Sequence, residues 1–168
     1  MKPELTNGSV QIEDLENKYV FWDIDGTLAP YRFNDHVADP DGTNNGMSLK
    51  EIDNGVFLTR EPSKHMQNVL NTCNAKENIV MGHCQVKKEI HDKHIWLDKY
   101  YPMIKERLFV YEDKSKADTI LEYCKNNNID LKDIVYVDDV ITFLRKAERK
   151  GIKSYHISSF LDWNYKRQ

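Results

Sequence analysis

At 168 residues, with 40% hydrophobic and 30% charged residues and few glycines and prolines, the chain reads as one globular unit with a sizeable core, not a disordered or fibrous polymer. A formal charge of −3 without a basic run argues against nucleic-acid binding, which needs clustered Lys and Arg. No apolar stretch approaches the ~20 residues that span a bilayer, and the polar start MKPELTNGSVQIEDLENK has no signal-peptide core. The odd set Cys73, Cys84 and Cys124 contains no CxxC pair, so a reducing, cytoplasmic setting without membrane association is expected.

In chain order, residues 18–24 (KYVFWDI) form a short aromatic and β-branched run that stops at Asp25-Gly26-Thr27, as a buried strand stops in a turn. Residues 29–60 are rich in Asn, Asp and Gly with scattered apolar positions, and are expected to form a small flap or cap insertion, with a short hairpin as its candidate form. Pro62 suits the first turn of a helix running to about Cys73. Residues 78–81 (NIVM) read as a second strand, followed by a long helix on which Val86, Ile90, Leu97 and Tyr101 recur at helical spacing. Residues 107–111 (RLFVY) read as a third strand, and Ala117, Ile120, Leu121 and Cys124 mark the apolar face of the next helix. Residues 134–137 (IVYV) form a fourth strand ending at Asp138-Asp139. A helix through Leu144 and Ala147 stops near Gly151, and residues 152–157 form a fifth strand. Strands alternating with helices imply an α/β three-layer, Rossmann-like fold of about five parallel strands with helices on both faces, occupying residues 1–168 as one domain. In such sheets ligands bind beyond the carboxyl ends of the strands.

Asp23 and Asp25 stand at the end of the first strand, two residues apart, where Gly26 lets the chain curl. One carboxylate can serve as a nucleophile forming an aspartyl-phosphate while the other protonates the leaving group and activates water; a turn or capping role is the competing reading. Asp138-Asp139 end another apolar strand, and adjacent acids there repel each other unless a cation or a positive side chain is present. Magnesium, which takes oxygen ligands, answers that demand; a solvated acidic turn is the alternative. Lys114 and Lys116 sit at a helix entrance in DKSKAD, where a lysine can neutralise a nucleophile and a transferring phosphoryl group. His91 and His94 are three apart on the long helix; His94 shares the stripe of Ile90 and Leu97, so a partly buried, hydrogen-bonded histidine is expected over a metal ligand. Trp96, Tyr100 and Tyr101 read as core and boundary aromatics.

Taken in order, FWDIDGTL, the SKAD lysine and IVYVDD resemble the haloacid dehalogenase superfamily of phosphatases, over a match running from about Tyr19 to His156. The resemblance implies Asp23 as nucleophile, Asp25 as acid/base, Lys116 (with Lys114 as alternative) as the family lysine, and Mg2+ held by Asp23, the Asp25 carbonyl and Asp139. Asp138 becomes a second ligand or an outer partner. Thr27, Gly82 and His83 are the candidate phosphate contacts. The family's second motif places a Ser or Thr hydroxyl where this chain has Gly82, and the adjacent His83 is the candidate replacement donor. The implied activity is hydrolysis of a small phosphomonoester by a minimal-cap member. A phosphotransferase or a phosphate-binding module with little turnover are the other readings. KHIWLDKYYP and EDKSKAD give a weaker similarity to deoxyribonucleotidase-like relatives, which suggests a nucleotide among the candidate substrates.

Overall fold

The computed structural model describes residues 8–31, 49–111 and 113–163. Five strands, β1 (Tyr19–Trp22), β2 (Glu77–His83), β3 (Glu106–Val110), β4 (Ile134–Asp138) and β5 (Ser154–His156), form one sheet in the order β3-β2-β1-β4-β5. All four pairings are parallel, with Phe21 opposite both Ile79 and Tyr136. The strand order changes direction at β1, so its carboxyl end and that of β4 flank the crevice where such sheets bind ligands. Asp23 and Asp138-Asp139 stand at those two ends.

Because successive strand residues face opposite ways, β1 feeds two cores. Val20 and Trp22 join Val80, Val135 and Val137 beneath α3 (Lys64–Thr72) and α4 (Lys87–Tyr100). Phe21 joins Ile79, Met81 and Tyr136 beneath α5 (Lys116–Asn126) and α6 (Ile141–Arg149). Two shorter helices, α1 (Ile12–Leu15) and α2 (Leu49–Asp53), and a 3-10 turn at Val56–Thr59 complete the part that bears on the site. Among the described residues no helix is long and apolar enough to cross a membrane.

Three local expectations shift, and a fourth falls largely outside the described residues. The helix expected from Pro62 begins at Lys64, because Ser63 caps it by accepting from the Met66 N–H at 3.2 Å. The fifth strand shortens to Ser154–His156, since Ile157 opens a 3-10 turn in which the His156 ring accepts from the Ser158 N–H. Of the flap expected at 29–60, residues 32–48 lie outside the described residues. From residue 49 the described part holds α2, a turn and the 3-10 turn at Val56–Thr59, with Ile52 and Phe57 buried. The inward face of α4 also differs from the expected stripe: Glu89, Asp92 and Lys93 are buried with Trp96 and Leu97, whereas Ile90 is half-buried.

Candidate active site

Asp23 follows the last residue of β1, and its N–H donates to the Val137 carbonyl of β4 at 3.0 Å. The next residues curl: Gly26 has φ +84°, and its N–H bonds the Ala29 carbonyl at 2.8 Å. A side chain at Gly26 is barred twice, by that φ and because a Cβ there would overlap the Asp139 carboxylate. The acidic turns after β1 and β4 are therefore packed directly against each other.

Ser115 accepts from the Asp118 N–H at 3.3 Å and caps α5, which makes Lys116 the first residue of that helix. The Lys116 ammonium is buried and bridges Asp23 Oδ1 at 2.5 Å and Asp138 Oδ2 at 2.7 Å. Burial disfavours this ammonium, yet Asp23 and Asp138 more than offset that and hold its pKa above the usual lysine value. Lys114 is exposed instead, on the rim of a cleft of about 240 Å³ that His83, Lys116, Phe143 and Lys146 also line.

Asp138 is fully buried and accepts from three donors, Lys116, the Tyr136 hydroxyl and the Val140 N–H at 2.8 Å. Burial, reinforced by Asp138, keeps the Tyr136 hydroxyl protonated and hence a donor. Asp139 differs: its Oδ1 is buried and has no hydrogen-bond partner, while its backbone carbonyl accepts from His156 Nε2 at 3.0 Å, with His156 in the tautomer protonated there. Burial pushes the Asp139 carboxyl up to about 7, with Asp138 adding to the shift. Burial also pushes Asp23 up to about 8; Lys116 opposes that shift, and Asp138 and Asp25 add to it.

Asp23, Asp138 and Asp139 offer carboxylate oxygens within 4.8 Å of one another. This all-oxygen set, with one orphaned buried oxygen and crowded negative charge, fits a hard divalent cation such as Mg2+. Asp139 offers an oxygen without a hydrogen-bond partner, whereas the oxygens of Asp23 and Asp138 already accept hydrogen bonds. The Asp25 carbonyl accepts from the Tyr31 hydroxyl at 3.0 Å.

The Asp25 carboxylate is held elsewhere. Its Oδ2 accepts from Lys93 at 2.6 Å and its Oδ1 from Arg60 at 3.4 Å. Thr27 Oγ1 lies 3.4 Å from Asp23 Oδ2 and donates to it. Gly82 and His83 separate by strand alternation. A Cβ at Gly82 would lie 2.9 Å from the Phe109 ring and 3.7 Å from Ile24, on the α3 and α4 side of the sheet. His83 lies on the α5 and α6 side with Lys116, its ring stacked at 6.4 Å on Phe143. A hydroxyl at position 82 would thus face away from Asp23, and Gly82 has only its backbone to offer there. His94 is half-buried, contacting Arg107 Nη1 through Nδ1 at 3.3 Å, and His91 is exposed.

Tyr136, His156, Arg60, Tyr31, Glu89 and Lys93 were not singled out from sequence. Tyr136 had a signal, because it precedes Asp138 by two in a strand and so shares its side. Glu89 and Lys93 had another, a charged pair four apart on a helix.

No protein-family model matches the chain, and no curated protein is similar to it in sequence. Among solved structures it is similar to a haloacid dehalogenase-like family hydrolase from Streptococcus pneumoniae, at 11% identity and a TM-score of 0.60, over 90% of this chain and 92% of that one. It is also similar to a provisionally named phosphoglycolate phosphatase from Lactobacillus plantarum, at 12% identity and a TM-score of 0.57, over 89% and 90% of the two chains. At these identities the likeness is one of fold, and the chain has the haloacid dehalogenase-like fold.

Proposed function

We propose that this chain, with its haloacid dehalogenase-like fold, is a Mg2+-dependent phosphatase that hydrolyses a small phosphomonoester through a phosphoryl group carried on Asp23. The observation that carries this reading is the buried Lys116 bridge between Asp23 and Asp138, set beside the orphaned oxygen of Asp139. A structural ion pair needs one carboxylate per lysine. Lys116 bridges two carboxylates and Asp139 stands beside them, so ionising all three leaves excess negative charge that a bound cation would offset.

In the proposed reaction Asp23 attacks phosphorus, the bond to the leaving oxygen breaks, and Asp25 gives that oxygen its proton. Water then attacks the phosphorus carried on Asp23 while Asp25 takes the water proton, the bond from phosphorus to the Asp23 oxygen breaks, and phosphate is released with Asp23 free again. Lys116 neutralises Asp23 and the transferring phosphoryl oxygens. Bound magnesium would supply further neutralisation of those oxygens and align them, held by Asp139, Asp23 and the Asp25 carbonyl, with Asp138 orienting Lys116 from behind. His83, on the Lys116 side of the sheet, is the candidate phosphate donor in place of the family hydroxyl.

The test is phosphate release from p-nitrophenyl phosphate with magnesium. Asp23→Asn is expected to reduce release to background and chelation to do the same. Persistent turnover by Asp23→Asn would remove Asp23 as the nucleophile. A parallel assay for phosphorylation of an added alcohol separates hydrolysis from transfer, and a panel of sugar phosphates, phosphorylated acids and nucleotides addresses the substrate.

A further inference from the structure

Among the described residues, the most heavily buried charge outside the acidic cluster is Lys93, on α4, with 1% of its side chain exposed. Its ammonium donates to Asp25 Oδ2 at 2.6 Å, to Glu89 Oε1 at 2.7 Å and to the His83 carbonyl at 3.3 Å. The Phe57 ring lies under it at 4.5 Å. Glu89 is itself fixed, because its Oε2 accepts from the Gln85 N–H at 2.6 Å just before α4. On the other side of Asp25, the Arg60 guanidinium lies over both the Tyr31 and Phe57 rings, at 5.1 and 5.8 Å. The Arg60 backbone carbonyl accepts from Trp96 Nε1 at 2.8 Å. Two elements outside the sheet, α4 and the 3-10 turn that follows α2, thus converge on one carboxylate.

Burying an ammonium is costly unless it is paired and fully hydrogen-bonded. A core position of this kind is ordinarily filled more favourably by an apolar residue, so a purely structural role leaves the arrangement without a reason. The geometry of Asp25 supplies one. An ammonium can only donate, which fixes Oδ2 as an acceptor and fixes the carboxyl rotamer. A proton on Asp25 then resides on Oδ1, whose contact with Arg60 is the looser one at 3.4 Å.

We propose that Lys93, clamped by Glu89, is a positioning residue that holds Asp25 so that Oδ1 faces the leaving oxygen and transfers its proton there as the bond to phosphorus breaks. The inference rests on the reading of Asp25 as acid/base. It also makes α4 and the 3-10 turn part of the acid's mounting, in addition to any role of residues 29–60 in admitting substrate.

The experiment uses Lys93→Met/Glu89→Gln, which removes the cation and its anion together and leaves no new buried charge. It compares kcat on an alkyl phosphate, whose leaving group needs a proton, with kcat on 2,4-dinitrophenyl phosphate, whose leaving group does not. General acid catalysis contributes typically 10²–10⁴-fold, and misplacement by about 1 Å can cost 10²-fold. The double variant is expected to lose about 100-fold on the alkyl ester and less than about 5-fold on the dinitrophenyl ester, with KM little changed. In an Asp25→Asn background the same pair of changes is expected to show no such selectivity. An equal loss on both esters, or no loss on either, would overturn the proposal. If the wild type releases phosphate from neither ester, the acid/base reading fails and this inference falls with it. A wild type active on both, with a uniform loss in the variant, refutes the positioning role alone.

Discussion

Lys116→Met keeps the length of the side chain and removes its charge, so that Asp23 and Asp138 lose the ammonium bridging them at 2.5 and 2.7 Å. Removing one partner of a buried ion pair costs about 3–5 kcal/mol. Asp138 retains the Tyr136 hydroxyl and the Val140 N–H, whereas Asp23 retains the Thr27 hydroxyl at 3.4 Å, so the loss falls mainly on Asp23. Asp23 has an escape, because burial already holds its carboxyl up at about 8 and the variant takes a proton there more readily still. That places the loss near the lower end, at about 3 kcal/mol. An unfolding entropy of ~2.1 cal/mol/K per residue gives about 0.35 kcal/mol/K for 168 residues, and hence a fall in Tm of about 9 °C. The assay is thermal unfolding followed by circular dichroism in chelator at pH 8. Lys116→Met/Asp138→Asn is expected to recover part of the loss, since one of the two stranded carboxylates is gone. The deficit of Lys116→Met should shrink at pH 5, where protonating Asp23 costs little. A fall in Tm below about 2 °C at pH 8, or an equal deficit at both pH values, would refute the account of this buried cluster.

Three further outcomes follow from the same geometry. Without metal, Asp23 and Asp139 keep protons that the unfolded chain gives up near 3.8; the stability this confers is full below that value and is lost as pH rises through about 7 and 8. Magnesium must displace those protons, so the Tm increase it produces should be larger at pH 8 than at pH 5, and equal increases would count against a carboxylate metal site. Gly82→Ser should destabilise by about 1–3 kcal/mol without raising kcat, because its Cβ would press on the Phe109 ring at 2.9 Å; a tenfold gain in kcat would show that the hydroxyl reaches the phosphate after all. His83→Ala should raise KM for the best substrate and weaken inhibition by inorganic phosphate by roughly tenfold, a loss of one charge-assisted or neutral donor, and unchanged kcat and KM would exclude His83 from the site.

The parallel sheet was legible because its central strands β1 and β4 are buried on both faces. Continuous apolar runs such as YVFW and IVYV follow from that burial, and the acids that end them mark the carboxyl edge where ligands bind. The turn after β1 was legible for a similar reason, since Gly26 has both a positive φ and the Asp139 carboxylate pressed against it. The meaning of Gly82 was not. Linear order puts it where a hydroxyl is expected, but only the alternation along β2 shows that its missing side chain would point at Phe109 while His83 points to the Lys116 side. A one-residue difference in a strand exchanges the two faces of the sheet, and order alone does not carry that information.

The inward charges of helix α4 were hidden for a different reason. Reading amphipathicity assumes that the inward stripe is apolar, and on that assumption Val86, Ile90, Leu97 and Tyr101 were the natural choice. Leu97 and Tyr101 are buried as expected, but ahead of them the buried stripe runs through Glu89, Asp92, Lys93 and Trp96, positions that suit a helix as well as any leucine pattern. Charge is tolerated on that stripe because it is answered locally: Lys93 stands between Glu89 and Asp25, and Lys88 meets Asp92 at 2.6 Å. One of those answering groups, Asp25, is supplied by the acidic turn after β1. The packing of α4 and the placement of that turn are therefore one problem, because Asp25 is both the countercharge that lets Lys93 be buried and the proposed proton donor. A helix whose inward charges find only part of their compensation on the helix itself directs attention to whichever strand end supplies the rest.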